Sequence, residues 1–292
     1  MLFAISSIRF NLARRWLLAT LLLLLAGCSV KFVYNQLDWL IPWYLDDYVT
    51  LNAEQYKQFK QTLNHYLDWH REEQLPVYAD FLKQLATNSE DGLNKIEITQ
   101  MLQQAEMFAD TLFSRLGPSL GEILATLTDE QVEEMAHKFV EKNNEYRKKY
   151  IDKPEKQRRE KRAEDITDFV ERWTGSLTDE QEMLIQSWSQ NYQLMSEEFL
   201  QSRAGWQARF VDILKRRTQS DEFFKNINKL FDNRRIARSE AFNQKIDYNR
   251  QMLISLYLDI DQSLSDMQRN RLKNTINEYA EDLQELSVQS RN

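Results

Sequence analysis

Residues 177–192, LTDEQEMLIQSWSQNY, decide the fold class. Thr178 is a favourable helix N-cap, because its hydroxyl can accept a hydrogen bond from an amide in the first turn. Gln181, three residues later, can reach back to the amide of the cap and complete a capping box. Apolar residues then recur at helical spacing, which predicts an amphipathic helix with one face in a core. These residues are Leu184, Trp188, Tyr192 and Met195.

The same start pattern occurs four times along the chain. A leucine precedes a polar cap, and glutamine stands three residues after the cap. The intervals between copies are 76, 50 and 87 residues, so the pattern does not describe a regular solenoid. We interpret it as repeated helix capping in a bundle. The copies are Leu51–Gln55, Leu127–Gln131, Leu177–Gln181 and Leu264–Gln268.

Composition agrees with an all-α fold. Only 6 glycines and 4 prolines occur in 292 residues, while aromatic residues reach 12% and can fill a core. We predict an elongated bundle, because a helix of about 39 residues would be about 58 Å long. The predicted helices are 53–87 (bent by Pro76), 94–116 (ending at Gly117-Pro118, with a short one to 126), 129–150, 155–173, 179–217, 221–260 and 266–287.

The N-terminus has the features of an export signal. Arg9, Arg14 and Arg15 precede any acidic residue, and an apolar run follows at 16–26. Such a run is a secretory h-region, and it is short of the roughly 20 residues that span a bilayer. It ends at the sequence LAGC of residues 25–28.

Leu25, Ala26, Gly27 and Cys28 resemble the lipobox of bacterial lipoproteins. The resemblance implies cleavage before Cys28 and lipid on its sulfur, with the amine usually acylated as well. Cys28 is the only cysteine, so no intramolecular disulfide competes for it. An ordinary signal peptide or a membrane helix is the alternative. We expect a signal peptide at 1–27 and a single helical body at 28–292, with a sub-boundary near 174–177.

The residue after the cysteine bears on the location of the protein. In enteric lipoproteins Asp at the second position tends to retain the protein in the inner membrane, so Ser29 indicates the outer membrane, facing the periplasm.

The mature chain has 35 basic and 45 acidic residues, a formal net charge of −10. That charge disfavours nucleic acid as a partner.

Aromatic residues are dense close to the expected anchor. Residues 34–48 contain Tyr34, Trp39, Trp43, Tyr44 and Tyr48. Such residues settle at membrane interfaces, and they also pack in cores. We favour a core position, since their density suits a helix wedged between others.

Two family resemblances bear on function. The Leu-Thr-x-x-Gln pattern resembles the signature of small periplasmic Spy-like chaperones, which are cradle-shaped and hold unfolded clients; Leu127–Gln131 and Leu177–Gln181 match it fully. Residues 25–28, 34–48 and 51–55, and further segments up to Tyr279, resemble an uncharacterised Gram-negative lipoprotein family, the domain of unknown function 6279. That family implies a periplasmic helical lipoprotein and no activity.

Motifs for chemistry are scarce. His65 and His70 are five residues apart, about 140° apart around a helix, which is a poor chelating pair. No nucleophile elbow, phosphate loop or dinucleotide fingerprint occurs. We therefore expect no catalytic residue, no metal and no cofactor beyond the lipid on Cys28.

Two arginine clusters are candidate binding surfaces. They could contact lipid headgroups, peptidoglycan or an acidic partner; the alternatives are a solvated helix face or pairing with acids inside the protein. The residues are Arg158, Arg159, Arg162, Arg234, Arg235 and Arg238.

The expected function is non-enzymatic binding of an envelope protein or an unfolded client by a lipid-anchored protein. A chaperone or stress adaptor of the Leu-Thr-x-x-Gln type is one alternative. A cell-wall hydrolase is the other, because carboxylates brought together from distant helices leave no local motif.

Overall fold

Helices build the part of the chain that the structure, a computed structural model, describes: residues 30–217 and 220–289. No strand occurs within those ranges, so the all-α prediction is confirmed. The lipobox and Cys28 lie outside them. The helices are α1 Val30–Tyr34, α2 Leu37–Leu45, α3 Ala53–Trp69, α4 Leu75–Asn88, α5 Lys95–Ala125, α6 Asp129–Tyr150, α7 Glu155–Thr174, α8 Asp179–Asn191, α9 Ser196–Lys215, α10 Asp221–Asp232, α11 Glu240–Gln262 and α12 Asp266–Val288, with a π-helical turn at His70–Gln74.

The four predicted capping boxes are all present. Their caps begin α3, α6, α8 and α12, and in each box the cap side chain accepts from the amide three residues on. The glutamine of the same box accepts from the backbone amide of the cap. The caps are Asn52, Thr128, Thr178 and Ser265.

Three predicted helix boundaries are wrong. The helix predicted to stop at Gly117-Pro118 continues to Ala125. The predicted helix 179–217 is two helices, because Tyr192 adopts an extended conformation that ends α8. The predicted helix 221–260 is likewise divided, by residues 233–239. The longest helix is thus α5, with 31 residues, or about 46 Å.

Tertiary packing explains why α5 continues through a Gly-Pro pair. A Cβ on Gly117 would lie 3.0 Å from the Cα of Asn228, and one on Gly121 would lie 2.9 Å from the ring of Phe224. The two glycines therefore let α10 approach the backbone of α5 closely. Pro118 removes one backbone hydrogen bond, and the packing of α10 outweighs that loss.

The bend expected at Pro76 takes the form of a π-helical turn. His70–Gln74 forms this turn, and Pro76 stands in the first turn of α4 that follows. Proline lacks an amide hydrogen and its ring clashes with the carbonyl four residues before it. A wider turn at this point accommodates both effects.

Helices from the two halves of the chain pack against each other. α4 packs chiefly on α12, α5 on α10 and α6 on α9. The largest cluster of buried apolar side chains joins α6, α9 and α10, and a second cluster joins α7, α8 and α11. The helices are thereby held as one bundle.

The core position expected for the N-terminal aromatic residues is wrong for three of the five. Tyr34 is buried and Tyr48 is half-buried. By contrast, Trp39, Trp43 and Tyr44 on α2 are 60%, 59% and 56% exposed. Their density reflects a surface feature rather than a helix wedged between others.

Candidate functional site

An apolar cavity of about 330 Å³ lies where five helices meet. α4 and α5 form one side of it, and α7, α11 and α12 form the other. α4 packs chiefly on α12, and α5 on α10 and α11, so the two consecutive helices leave a space between them. The large side chains around this space are Phe81, Leu85, Met101, Leu102, Phe169, Trp173, Tyr257 and Leu272.

The cavity is open to solvent. Phe169 is 42% exposed, and Ala105, which also lines the cavity, is exposed. Leu85 and Met101 are only partly buried. A well-packed interior leaves few voids larger than a water molecule, so an open apolar cavity of this size has the features of a binding site.

Two titratable side chains, Asp261 and Tyr257, line the cavity. Asp261 is buried, pairs with Arg269 at 3.1 Å and accepts from the amide of Leu93 at 2.9 Å. Burial raises the pKa of Tyr257 to about 12. Trp173 adds an indole Nε1 that is buried without a hydrogen-bond partner.

The glutamines of the four motifs form two reciprocal pairs. Gln55 donates to Oε1 of Gln131 at 3.0 Å, and Gln131 donates to Oε1 of Gln55 at 2.7 Å. Each also donates to the carbonyl just before the leucine of the other motif, Thr126 at 2.9 Å and Thr50 at 2.7 Å. The pair therefore joins the N-termini of α3 and α6.

The second pair repeats this geometry beside the cavity. Gln181 and Gln268 exchange bonds of 3.2 and 2.9 Å, and they donate to the carbonyls of Ser263 and Ser176. Both are buried, Gln181 completely. Leu264, the leucine of the fourth motif, lines the cavity. This pair joins α8 to α12, and α12 forms one wall of the cavity.

Two of the three arginines of the first cluster have partners within the protein. Arg159 donates to three carbonyls at the end of α8, those of Ser189, Gln190 and Tyr192, at 2.8–2.9 Å. Arg162 lies 5.0 Å from the ring of Tyr192, and Arg158 is half-buried.

The second arginine cluster also has internal partners. Arg234 and Arg235 pair with Asp110 at 2.6 and 3.0 Å. Arg238 lies over the ring of Phe242, and burial followed by the charges of Arg235 and Arg234 lowers its pKa. The two clusters hold helices together, and a role in binding a partner stays a prediction for both.

The histidines form no metal site within the described residues, where no cluster of three or more ligating side chains occurs. His70 instead contacts α1, since its Nδ1 lies 2.8 Å from the hydroxyl of Tyr34. Burial, and then the charge of Arg71, lowers the pKa of His70 to about 4.

This shift predicts a pH-dependent stability. The pKa of His70 is about 4 in the folded protein and about 6.5 when unfolded, so folding favours the neutral ring. Above pH 6.5 the ring is neutral in both states, and the folded protein has its full stability. As the pH falls from 6.5 toward 4, only the unfolded state binds the proton, so the folded protein loses stability. Between those values the free energy of unfolding should fall by up to about 1.4 kcal/mol per pH unit more in the wild type than in His70→Gln.

Denaturant unfolding at several pH values measures this difference. His65→Gln, at an exposed position, is the matched control for the loss of an imidazole. Equal slopes for wild type and His70→Gln would show that His70 is not held neutral.

A family model described as "Family of unknown function (DUF6279)" matches residues 47–242, about two thirds of the chain. The chain belongs to this family. No curated protein and no solved structure matches it. The predicted membership of DUF6279 is therefore confirmed, and the Spy-like resemblance stays a prediction.

The DUF6279 match contains part of the candidate site. It includes the first three capping motifs and the cavity walls formed by α4, α5 and α7. The lipobox residues, with Cys28, precede it and lie outside the described residues, so lipid attachment stays a prediction. No helix among 30–217 and 220–289 is both long and apolar enough to cross a bilayer.

Sequence reasoning did not find the cavity. Its lining comes from three separate segments of the chain, α4 with α5, α7, and α11 with α12, and each helix shows only an ordinary apolar stripe.

Proposed function

We propose that the mature chain is a non-enzymatic, lipid-anchored envelope protein that binds apolar side chains of a partner polypeptide in the cavity between α4, α5, α7, α11 and α12. Lipid on Cys28 would hold it at the outer membrane, facing the periplasm. The partner is a folded envelope protein or an unfolded client. The open apolar cavity is the observation that supports this function.

The size of the cavity sets the scale of the interaction. A dry apolar cavity of about 150 Å³ accommodates benzene, so 330 Å³ accommodates about two large side chains. Burying each contributes about 1.5–3 kcal/mol. Two such side chains give about 3–6 kcal/mol, from which the loss of translational and rotational freedom on association must be subtracted. The cavity alone would then give millimolar or weaker affinity, which suits a transient client or a partner that also contacts the surrounding surface.

The paired glutamines bear on the chaperone alternative. Gln181 is fully buried, and Gln55 and Gln268 are 3% and 7% exposed. These three glutamines of the Leu-Thr-x-x-Gln pattern are therefore unable to form a client surface. A chaperone activity of this protein would use the cavity, and suppression of client aggregation by the purified protein would reveal it.

Filling the opening of the cavity should weaken binding. Ala105 lines the cavity and is exposed, so Ala105→Phe places a ring in the opening without disturbing the core. We expect the affinity for a naphthalene-based apolar dye, measured by fluorescence titration, to fall about tenfold. The new ring would occupy apolar space in the cavity, so the dye would bury less apolar surface on binding. Suppression of client aggregation should fall with it.

Ala208→Phe, at an exposed position on α9, is the matched control and should bind the dye like the wild type. Equal dye affinity in all three proteins would refute binding in the cavity. Chemical change in purified peptidoglycan after incubation with the mature protein would instead support the hydrolase alternative.

A further inference from the structure

Two exposed tryptophans on α2 distinguish the N-terminal end of the bundle. Trp39 and Trp43 are 60% and 59% exposed, whereas the other tryptophans in the described ranges are buried or half-buried. Their rings stack with centroids 6.4 Å apart, and Tyr44 beside them is 56% exposed. Contiguous exposed aromatic area of this kind marks an interaction surface. We call these three residues the α2 aromatic patch.

The position of the patch in the chain limits what can cover it. Cys28 lies two residues before Val30, where α1 begins, and α2 begins at Leu37. Backbone dimensions therefore place the Cα of Trp39 within about 30 Å of the Cα of Cys28. A lipid on Cys28 would be inserted in the bilayer, so α2 would be close to the membrane surface.

We propose that the α2 aromatic patch inserts into the headgroup region of the bilayer that holds the lipid anchor. The inference rests on the lipid attachment in the proposed function. Tryptophan and tyrosine suit this region, because each combines a large apolar ring with a polar group that remains hydrated. Contact at the patch, added to the anchor, would fix the orientation of the bundle on the membrane.

Charge near the patch indicates how it binds. Asp46 and Asp47 directly follow α2 and are exposed, while the ammonium of Lys60 donates to the backbone carbonyl of Asp38 at 2.5 Å. Attraction to anionic headgroups is therefore not the driving force. The patch should bind zwitterionic vesicles, with little dependence on salt or on anionic lipid.

Fluorescence quenching by lipid tests the proposal in the lipidated protein. Mature protein is reconstituted in phosphatidylcholine vesicles with bromine atoms high in the acyl chains. Quenching of about a third of the tryptophan emission is expected, since two of the six tryptophans of the mature chain lie in the patch. In Trp39→Phe/Trp43→Phe this quenching should disappear while the protein stays bound. Undiminished quenching in that variant, or none in the wild type, overturns the proposal.

A second arm separates the patch from the anchor. In a Cys28→Ser protein produced without the expected signal peptide 1–27, Trp39→Ser/Trp43→Ser should lower partitioning into zwitterionic vesicles at least about tenfold. Met183→Ser/Met267→Ser, at residues 64% and 82% exposed, is the matched control and should partition like the Cys28→Ser protein.

The two arms fail in different ways. Lipidated protein that floats with vesicles, with no effect of either tryptophan variant, overturns the patch and leaves the anchor intact. Wild-type protein that carries no lipid overturns the anchor, while the Cys28→Ser arm still tests the patch. A dimer that Trp39→Ser/Trp43→Ser abolishes, without binding to vesicles, would assign the patch to a second copy and overturn the proposal.

Discussion

Gln181→Leu is expected to lower the free energy of unfolding by about 3 kcal/mol, because the change leaves one buried and two partly buried polar groups without their partner. The groups are the amide of Thr178, the carbonyl of Ser263 and the side chain of Gln268. Gln268→Leu should have a similar effect. Each single variant breaks the hydrogen bonds between Gln181 and Gln268, and the double variant breaks the same bonds only once. The loss in free energy of unfolding of the double variant should therefore be at least about 1 kcal/mol smaller than the sum of the two single losses.

Denaturant unfolding of the wild type, the two single variants and the double variant gives this coupling energy. Gln186→Leu, at an exposed position on α8, is the matched control and should change stability by less than about 0.5 kcal/mol. Additive costs for Gln181→Leu and Gln268→Leu would contradict the reciprocal pair. The pattern would then be capping alone.

Arg71→Met should destabilise the protein by about 3 kcal/mol, because hydrogen bonds to a charged group contribute about 1.5–3 kcal/mol each. Arg71 is buried and donates to the carbonyl of Leu286 and to Oδ1 of Asn35, both at 3.0 Å. Its guanidinium also lies 5.0 Å from the ring of Tyr34. One side chain in the π-helical turn thus holds α1 and the end of α12 together.

Hydrogen exchange locates the effect. Relative to the wild type, Arg71→Met should speed up amide exchange in α1 and in the last turn of α12 more than in α8. Arg172→Met, at an exposed position in the last turn of α7, is the control for loss of an arginine. Unchanged exchange at both chain ends in Arg71→Met would show that the contacts of Arg71 do not stabilise them.

Local rules predicted local structure well. A polar cap with glutamine three residues later was sufficient to place the starts of α3, α6, α8 and α12, since capping depends on groups within one turn. The same rules placed a stop at Gly117-Pro118, where α5 continues. The reason is tertiary, because α10 packs across Gly117 and Gly121. Breaks at Tyr192 and at 233–239 carry neither glycine nor proline and were missed.

The tertiary features of the candidate site could not be predicted from the sequence. The partner of Gln55 is 76 residues away, and that of Gln181 is 87 residues away, so the pairing emerges only in the folded bundle. The cavity likewise depends on the distance between α4 and α5. Exposure of Trp39 and Trp43 was missed because composition gives the number of aromatic residues and not the side of the helix that is covered.

The most direct test of partner binding in the cavity is site-specific photocrosslinking in living cells, followed by mass spectrometry of the adducts. A photoreactive residue replaces Met101, which lines the cavity, or Met183, which is 64% exposed on α8. Polypeptide adducts should form from position 101 and not from position 183, and Ala105→Phe should reduce them. The absence of adducts from position 101, the same adducts from both positions, or adducts to lipid alone would contradict binding of a partner polypeptide in the cavity.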